Sequence, residues 1–115
     1  MRAPKFNVEF LEEASDFLDK LDEKVKQKII YNITKARYSN DSDLFSKLSD
    51  EIWEFRTLFN KTYYRLFAFW DKQDKSDTVV ISTHGLIKKT KKTPQSDLEK
   101  AKRLRNEYFE LKYRK

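Results

Sequence analysis

The chain has 115 residues, no cysteine, one histidine and a formal charge of +6. That length suits a single domain, residues 1–115, with one core, and the missing cysteines exclude a disulfide scaffold or a thiolate metal site. Hydrophobic residues are only 38% of the chain, but aromatics reach 15%, so packed rings supply the bulk that a disordered sequence lacks. The opening MRAPKFNVEF is charged where a signal peptide is apolar, and long apolar runs are absent, so a cytoplasmic protein without a membrane segment is expected.

Lys5 to Phe10 alternates Phe6, Val8 and Phe10 with polar residues, the period of a half-buried strand. The period then changes. Leu11, Ala14, Phe17, Leu18 and Leu21 recur at helical spacing, with Glu12, Glu13 and Asp16 placed early, where the helix dipole favours acids. Asp22 is a candidate N-cap for a second helix whose buried face is Val25, Ile29, Ile33 and Ala36, and the short interval predicts a helical hairpin. Ser39 to Asp43 is rich in turn formers and breaks the helix.

Three strands are predicted next, over Glu51 to Phe59, Thr62 to Trp70 and Thr78 to His84. Asn60-Lys61 has the length that closes a hairpin, and Asp71 to Asp77 reads as a polar turn. Gly85 to Pro94 reads as a basic loop, its single glycine marking a special turn. From Pro94 to Tyr113 the residues Leu98, Ala101, Leu104, Tyr108 and Leu111 return to helical spacing, with Ser96 as the expected cap. The fold class is therefore α+β, with an N-terminal strand, a helical hairpin and a C-terminal helix packed on an antiparallel sheet.

Charge is unevenly spread. From Gly85 onward there are 11 Lys/Arg against 4 Asp/Glu, whereas residues 1–84 carry 14 against 15, and such asymmetry points to a polyanion-binding surface. If Asn60-Lys61 closes a two-residue hairpin, Arg56 lies opposite Arg65. Like charges in that position oppose folding. They are explained either by an anion held between two planar guanidinium forks, or by separate carboxylate partners such as Glu54 or Asp50. Lys88, Lys89, Lys91 and Lys92 follow a strand expected beside that of Arg65, so the two sets of cations are placed to converge; alternatively they form a solvated loop. His84 is either a packing residue at a strand end or, with its near-neutral pKa, a general acid or base. Tyr63, Phe67 and Phe69 share the face of Arg65, and a ring left beside the arginines is suited to stack a base.

Ile52-Trp53-Glu54-Phe55-Arg56, the strand Tyr63-Tyr64-Arg65-Leu66-Phe67, the block His84-Gly85-Leu86-Ile87-Lys88-Lys89-Thr90-Lys91-Lys92-Thr93-Pro94 and the helix around Ala101 resemble the HigB-like, phage-derived branch of the RelE/ParE toxins. The Lys-Lys-Thr-x-Lys-Thr-Pro block is the specific part of the likeness; Leu86-Ile87 stands where that branch commonly has an aromatic-containing turn. The resemblance implies a RelE-like fold and the toxin of a type II toxin–antitoxin system. It further implies a ribosome-dependent endoribonuclease that cuts messenger RNA in the A site without a metal or other cofactor, and a cognate helix-turn-helix antitoxin as partner. On this chain it makes Arg56 and Arg65 the phosphate clamp and transition-state stabilisers. Lys88, Lys89, Lys91 and Lys92 become RNA contacts, with one of Lys88, Lys89 and Lys91, or else His84, as base. A ParE-like, non-enzymatic inhibitor of DNA gyrase, or an inactive homologue that only binds nucleic acid or antitoxin, is the alternative.

Overall fold

A computed structural model describes residues 3–72, 78–88 and 92–114. Its elements run β1 (Asn7–Phe10), α1 (Glu12–Asp19), α2 (Glu23–Tyr38), β2 (Phe45–Ser49), β3 (Ile52–Phe59), β4 (Thr62–Asp71), β5 (Val79–Lys88) and α3 (Gln95–Tyr113). The strands form one sheet in the order β1-β5-β4-β3-β2, with β1 parallel to β5 and every other pairing antiparallel. The α+β architecture matches expectation, with one strand more than predicted. That strand, β2, has no period of two because a bulge between Lys47 and Ser49 interrupts its pairing with β3. Phe45 holds it, stacked on Phe55 at 4.3 Å and on Trp53 at 4.9 Å between ring centroids.

Asn60 and Lys61 both take positive φ, 49° and 62°, the backbone of a type I′ turn whose twist suits a two-residue hairpin. The register follows: Phe59 pairs with Thr62 and Arg56 with Arg65. Helices α1 and α2 cover one face of the sheet, where Ala14, Leu18, Val25, Ile29 and Ile33 pack on Phe55, Leu66, Ala68 and Val80. Asp22 sits at the N-cap position of α2 but makes no side-chain capping bond, and the buried Asn32 of α2 donates to Thr57 at 3.1 Å. Helix α3 covers part of the other face, with Ala101 and Leu98 against Ile52, Phe67 and Leu86. No helix among the described residues is long and apolar enough to cross a membrane.

The expected loop from Gly85 is corrected. β5 continues through Gly85 to Lys88, and Gly85 has no positive φ. Between the pairs Ala68–Ser82 and Phe67–His84 the register slips by one residue, leaving Thr83 as a bulge. The slip exchanges the faces of everything that follows. Gly85 comes to lie under the ring of Phe17 in α1, so closely that a Cβ would overlap the ring. The glycine is needed for this close approach and not for a turn.

The same slip turns His84 toward α3. Its ring stacks on Phe67 at 4.8 Å, with Nε2 3.0 Å from Asp97 Oδ1 and Nδ1 3.0 Å from Thr83 Oγ1. Asp97 lies in the first turn of α3, so this contact pins the helix start to β5; the expected cap Ser96 lies inside the helix, whose N-cap position is Pro94. The far end of α3 is held by Asp71, buried at the end of β4, which accepts from Tyr108 Oη at 2.7 Å and Lys112 Nζ at 2.6 Å. Burial, reinforced by the Asp71 carboxylate, pushes the Tyr108 hydroxyl far above its usual range, so it remains a donor.

Two predictions arise from these contacts. Gly85→Ala lowers stability by roughly 1–3 kcal/mol through overpacking against Phe17, and Phe17→Ala in the same chain recovers part of that loss; denaturant titrations that give simply additive effects contradict the contact. Desolvation lowers the His84 pKa below 6.5; Lys100 adds to this, while Asp97 and Glu13 oppose it. Unfolded chains then bind the extra proton first, so stability holds above the unfolded pKa near 6.5 and falls as pH drops from there toward the folded value. Thermal melts between pH 7.5 and 5 are expected to show a steeper loss of Tm for the wild type than for His84→Gln, and parallel slopes count against this origin.

Candidate functional site

The face of the sheet that α3 partly covers is organised in cross-strand rows. Glu54, Phe67 and His84 form one row, Arg56, Arg65 and Leu86 the next, and Leu58, Tyr63 and Lys88 the outermost. The Asn60-Lys61 turn sets the β3–β4 half of this grid and the Thr83 bulge sets the β5 half. Arg56, Arg65 and Lys88 thus share one face through pairing alone, with Tyr63 between them.

The two arginines are in different surroundings. Arg65 is 1% exposed, and its Nη1 lies 2.5 Å from Oε1 of the equally buried Glu54. Desolvating a guanidinium without such a partner is strongly unfavourable, and Glu54, one row inward, answers that requirement. The guanidinium carbon also lies 5.5 Å from the Tyr63 ring centroid, placing fixed positive charge behind the tyrosine. Arg56 is more open. It donates through Nε to the Asp43 carbonyl at 3.4 Å and approaches the Asp43 carboxylate at 3.9 Å, an ion pair whose acid is 92% exposed and therefore weakly held. Separate carboxylate partners thus exist for both arginines, Glu54 as foreseen and Asp43 in place of Asp50.

Lys88 ends β5 opposite Tyr63 and is partly exposed. Lys92 is exposed, whereas Lys89 and Lys91 lie outside the described residues. His84 is 3% exposed with both ring nitrogens in hydrogen bonds, the environment of the packing residue that sequence reasoning allowed. The accessible chemistry of the grid is therefore two cations, Arg56 and Lys88, either side of a phenol, with a third cation buried behind it. Tyr63 enters as a candidate proton carrier, where its sequence position marked only a ring on the arginine face.

A groove of about 420 Å3 adjoins this grid at the edge of β3, lined by Lys28, Asn32, Lys35, Asp43, Arg56 and Tyr63 among others. A larger one, about 720 Å3, lies between the first turn of α1 and the second half of α3, with Leu11, Leu104 and Leu111 on its apolar surface and Glu12, Glu13 and Glu107 around it. The carboxylates make that larger groove a poor seat for a polyanion.

The fold has a known counterpart. A chain of the intact E. coli RelBE toxin–antitoxin complex superposes with a TM-score of 0.50 at 18% identity, covering 76% of the present chain and 99% of its own length. At that identity the likeness concerns the fold, which is RelE-like. No curated protein matches the chain in sequence. The family described as phage-derived protein Gp49-like matches residues 16–106, from α1 to the middle of α3. That match takes in β3, β4, β5 and every cation of the grid, and the chain belongs to the phage-derived Gp49-like family.

Proposed function

We propose that this protein is the toxin of a type II toxin–antitoxin pair, close to the HigB-like branch, and that it cleaves messenger RNA in the ribosomal A site. The observation that carries the reading is the uncovered end of the sheet face, where Arg56, Tyr63 and Lys88 surround the buried charge of Arg65. In the reaction, a ribose 2′-oxygen attacks the adjacent phosphorus. The 2′-O–P bond forms as the P–5′-O bond breaks, leaving a cyclic phosphate and a 5′-hydroxyl. A base accepts the 2′ proton and an acid supplies one to the leaving oxygen.

Arg56 and Lys88 hold the non-bridging oxygens and stabilise the added negative charge, with Arg65 contributing its field from behind. Tyr63 and Lys88 are the groups positioned to exchange protons. His84, with its nitrogens committed to Thr83 and Asp97, supports β5 and α3 and does not touch the RNA. Lys89, Lys91 and Lys92 extend the grip on the backbone. The partner is a helix-turn-helix antitoxin with an acidic segment that covers these cations.

A second reading, a non-enzymatic poison such as a gyrase inhibitor or a homologue that only binds, is favoured by one fact: Glu54 neutralises Arg65. Expression without antitoxin decides between them. Growth arrest with new 5′ ends inside ribosome-bound messages is expected, reduced at least about 100-fold by Arg56→Ala or Lys88→Ala. Arrest with messages intact and a DNA-damage response overturns the nuclease reading. Arg65→Ala is less diagnostic, because it strands Glu54 and costs about 3–5 kcal/mol of stability. Antitoxin binding is expected to weaken roughly tenfold or more between low and high salt, and titrations with salt-independent affinity contradict electrostatic neutralisation.

A further inference from the structure

Helix α2 carries a second cationic surface. Averaged over residues 1–84 its charge vanishes, because acidic α1 and the carboxylates around β2 offset it. In space it does not. Lys24, Lys28, Tyr31 and Lys35 recur at four, three and four residues, so they share one flank of the helix. All four are exposed, Tyr31 by 61%. The three lysines span about 16 Å along the axis. Among the described residues none of them is in an ion pair, whereas Lys26, on the opposite flank, is bound to Asp19 at 3.0 Å.

This flank opens onto the 420 Å3 groove at the edge of β3, where Lys28 and Lys35 meet Arg56 and Tyr63. Among the described residues Asp43 is the single acid lining it, and that acid is already engaged by Arg56. Lys28 Nζ lies 5.3 Å from the Tyr31 ring centroid, so an exposed ring with a cation beside it stands on the rim. Lysines along an open groove, with Tyr63 in its lining and Tyr31 beside it, are what a flexible single strand requires. Bases stack on the rings while the cations follow the phosphates.

Resting on the ribonuclease reading above, we infer that the α2 flank is a secondary RNA-binding arm. It takes the part of the same single strand that flanks the cleaved step, led out of the site past Arg56 and Tyr63 and along Lys35, Tyr31, Lys28 and Lys24. Charge complementarity and the two lining residues shared with the site argue for this occupant. A phosphate backbone that leaves the grid on the Arg56 side meets the groove directly.

The test uses the full chain and fluorescein-labelled RNA made uncleavable by 2′-O-methylation: a four-nucleotide strand, a fourteen-nucleotide strand and a fourteen-pair duplex, read by anisotropy across a salt series. Lys28→Ala/Lys35→Ala is expected to bind the long strand about tenfold more weakly, with a salt slope smaller by about 1.4. Its affinity for the short strand changes less than about twofold. The control Lys20→Ala/Lys26→Ala removes the same charge from the end of α1 and the opposite flank of α2, and leaves long-strand affinity within about twofold. Tyr31→Ala weakens the long strand several-fold with little change in salt slope. Unchanged long-strand binding in Lys28→Ala/Lys35→Ala overturns the inference. So does an equal loss on the short strand, a loss confined to the duplex, or a loss seen only in antitoxin binding. A wild type that binds the short strand but gains nothing from length sinks this inference alone, as does one that binds neither strand; the function on which it rests is overturned separately, by intact ribosome-bound messages during growth arrest.

Discussion

One extra residue in β5 determines which side chains meet. Thr83 and Ser82 both direct their hydroxyls to the Phe67 carbonyl, at 3.4 and 3.1 Å, so the bulge is held by bonds that the regular ladder leaves free. Before it, Val80 faces α1 and α2 while Ile81 pairs with Phe69 on the α3 side. After it, parity reverses, and His84, Leu86 and Lys88 share the face of Arg65 while Gly85 goes under Phe17. An unbroken strand would bury Lys88 against α1 and leave Arg65 facing glycine. Both the tight seat of α1 and the cationic grid therefore depend on a single slip of register.

The grid lies where α3 runs out, and the manner in which α3 is attached explains why a charged face can persist beside a core. Of its 19 residues only Ala101 is buried. Its hold on the sheet is divided between a small apolar patch, the His84–Asp97 contact at one end and the buried Asp71 at the other. Polar anchors with satisfied partners specify position without needing a wide apolar stripe. This leaves the outer rows of the sheet uncovered, and Arg65 is the transition between the two regimes: buried like the core, charged like the site, and kept there by Glu54. The pair contributes less to net stability than to holding a cation at a fixed place beneath Tyr63.

Local pattern carried the sequence reading where local rules decide structure. The interval Asn60-Lys61 sufficed to pair Arg56 with Arg65, because a two-residue loop leaves one register, and the apolar spacing of α1 and α2 mapped onto the buried face. Reading failed where the outcome depends on a partner far along the chain. Phe45-Ser46-Lys47-Leu48-Ser49 has no strand period of its own and becomes β2 by stacking Phe45 on Phe55. Gly85 seemed to call for a turn because its true neighbour, Phe17, lies 68 positions earlier. Charge counting located the basic tail but missed the flank of α2, since a linear sum mixes faces that a helix separates.

The two cationic regions adjoin because β2 is short. Among the described residues it pairs with β3 only from Ile52 to Phe55, and the Arg56 amide closes the pairing by donating to the Leu44 carbonyl at 2.8 Å. From Arg56 onward that edge of β3 has no strand among the described residues, a condition that ordinarily invites unwanted pairing and that proteins blunt with charge. Lys28, Lys35 and Arg56 meet that need. The same truncation removes the wall that would divide the β3–β4 face from α2, so charge that protects an open edge also connects Lys88, across Tyr63 and Arg56, to Lys35. Edge protection and polyanion binding then place the same demand on the sequence, and one set of residues answers both.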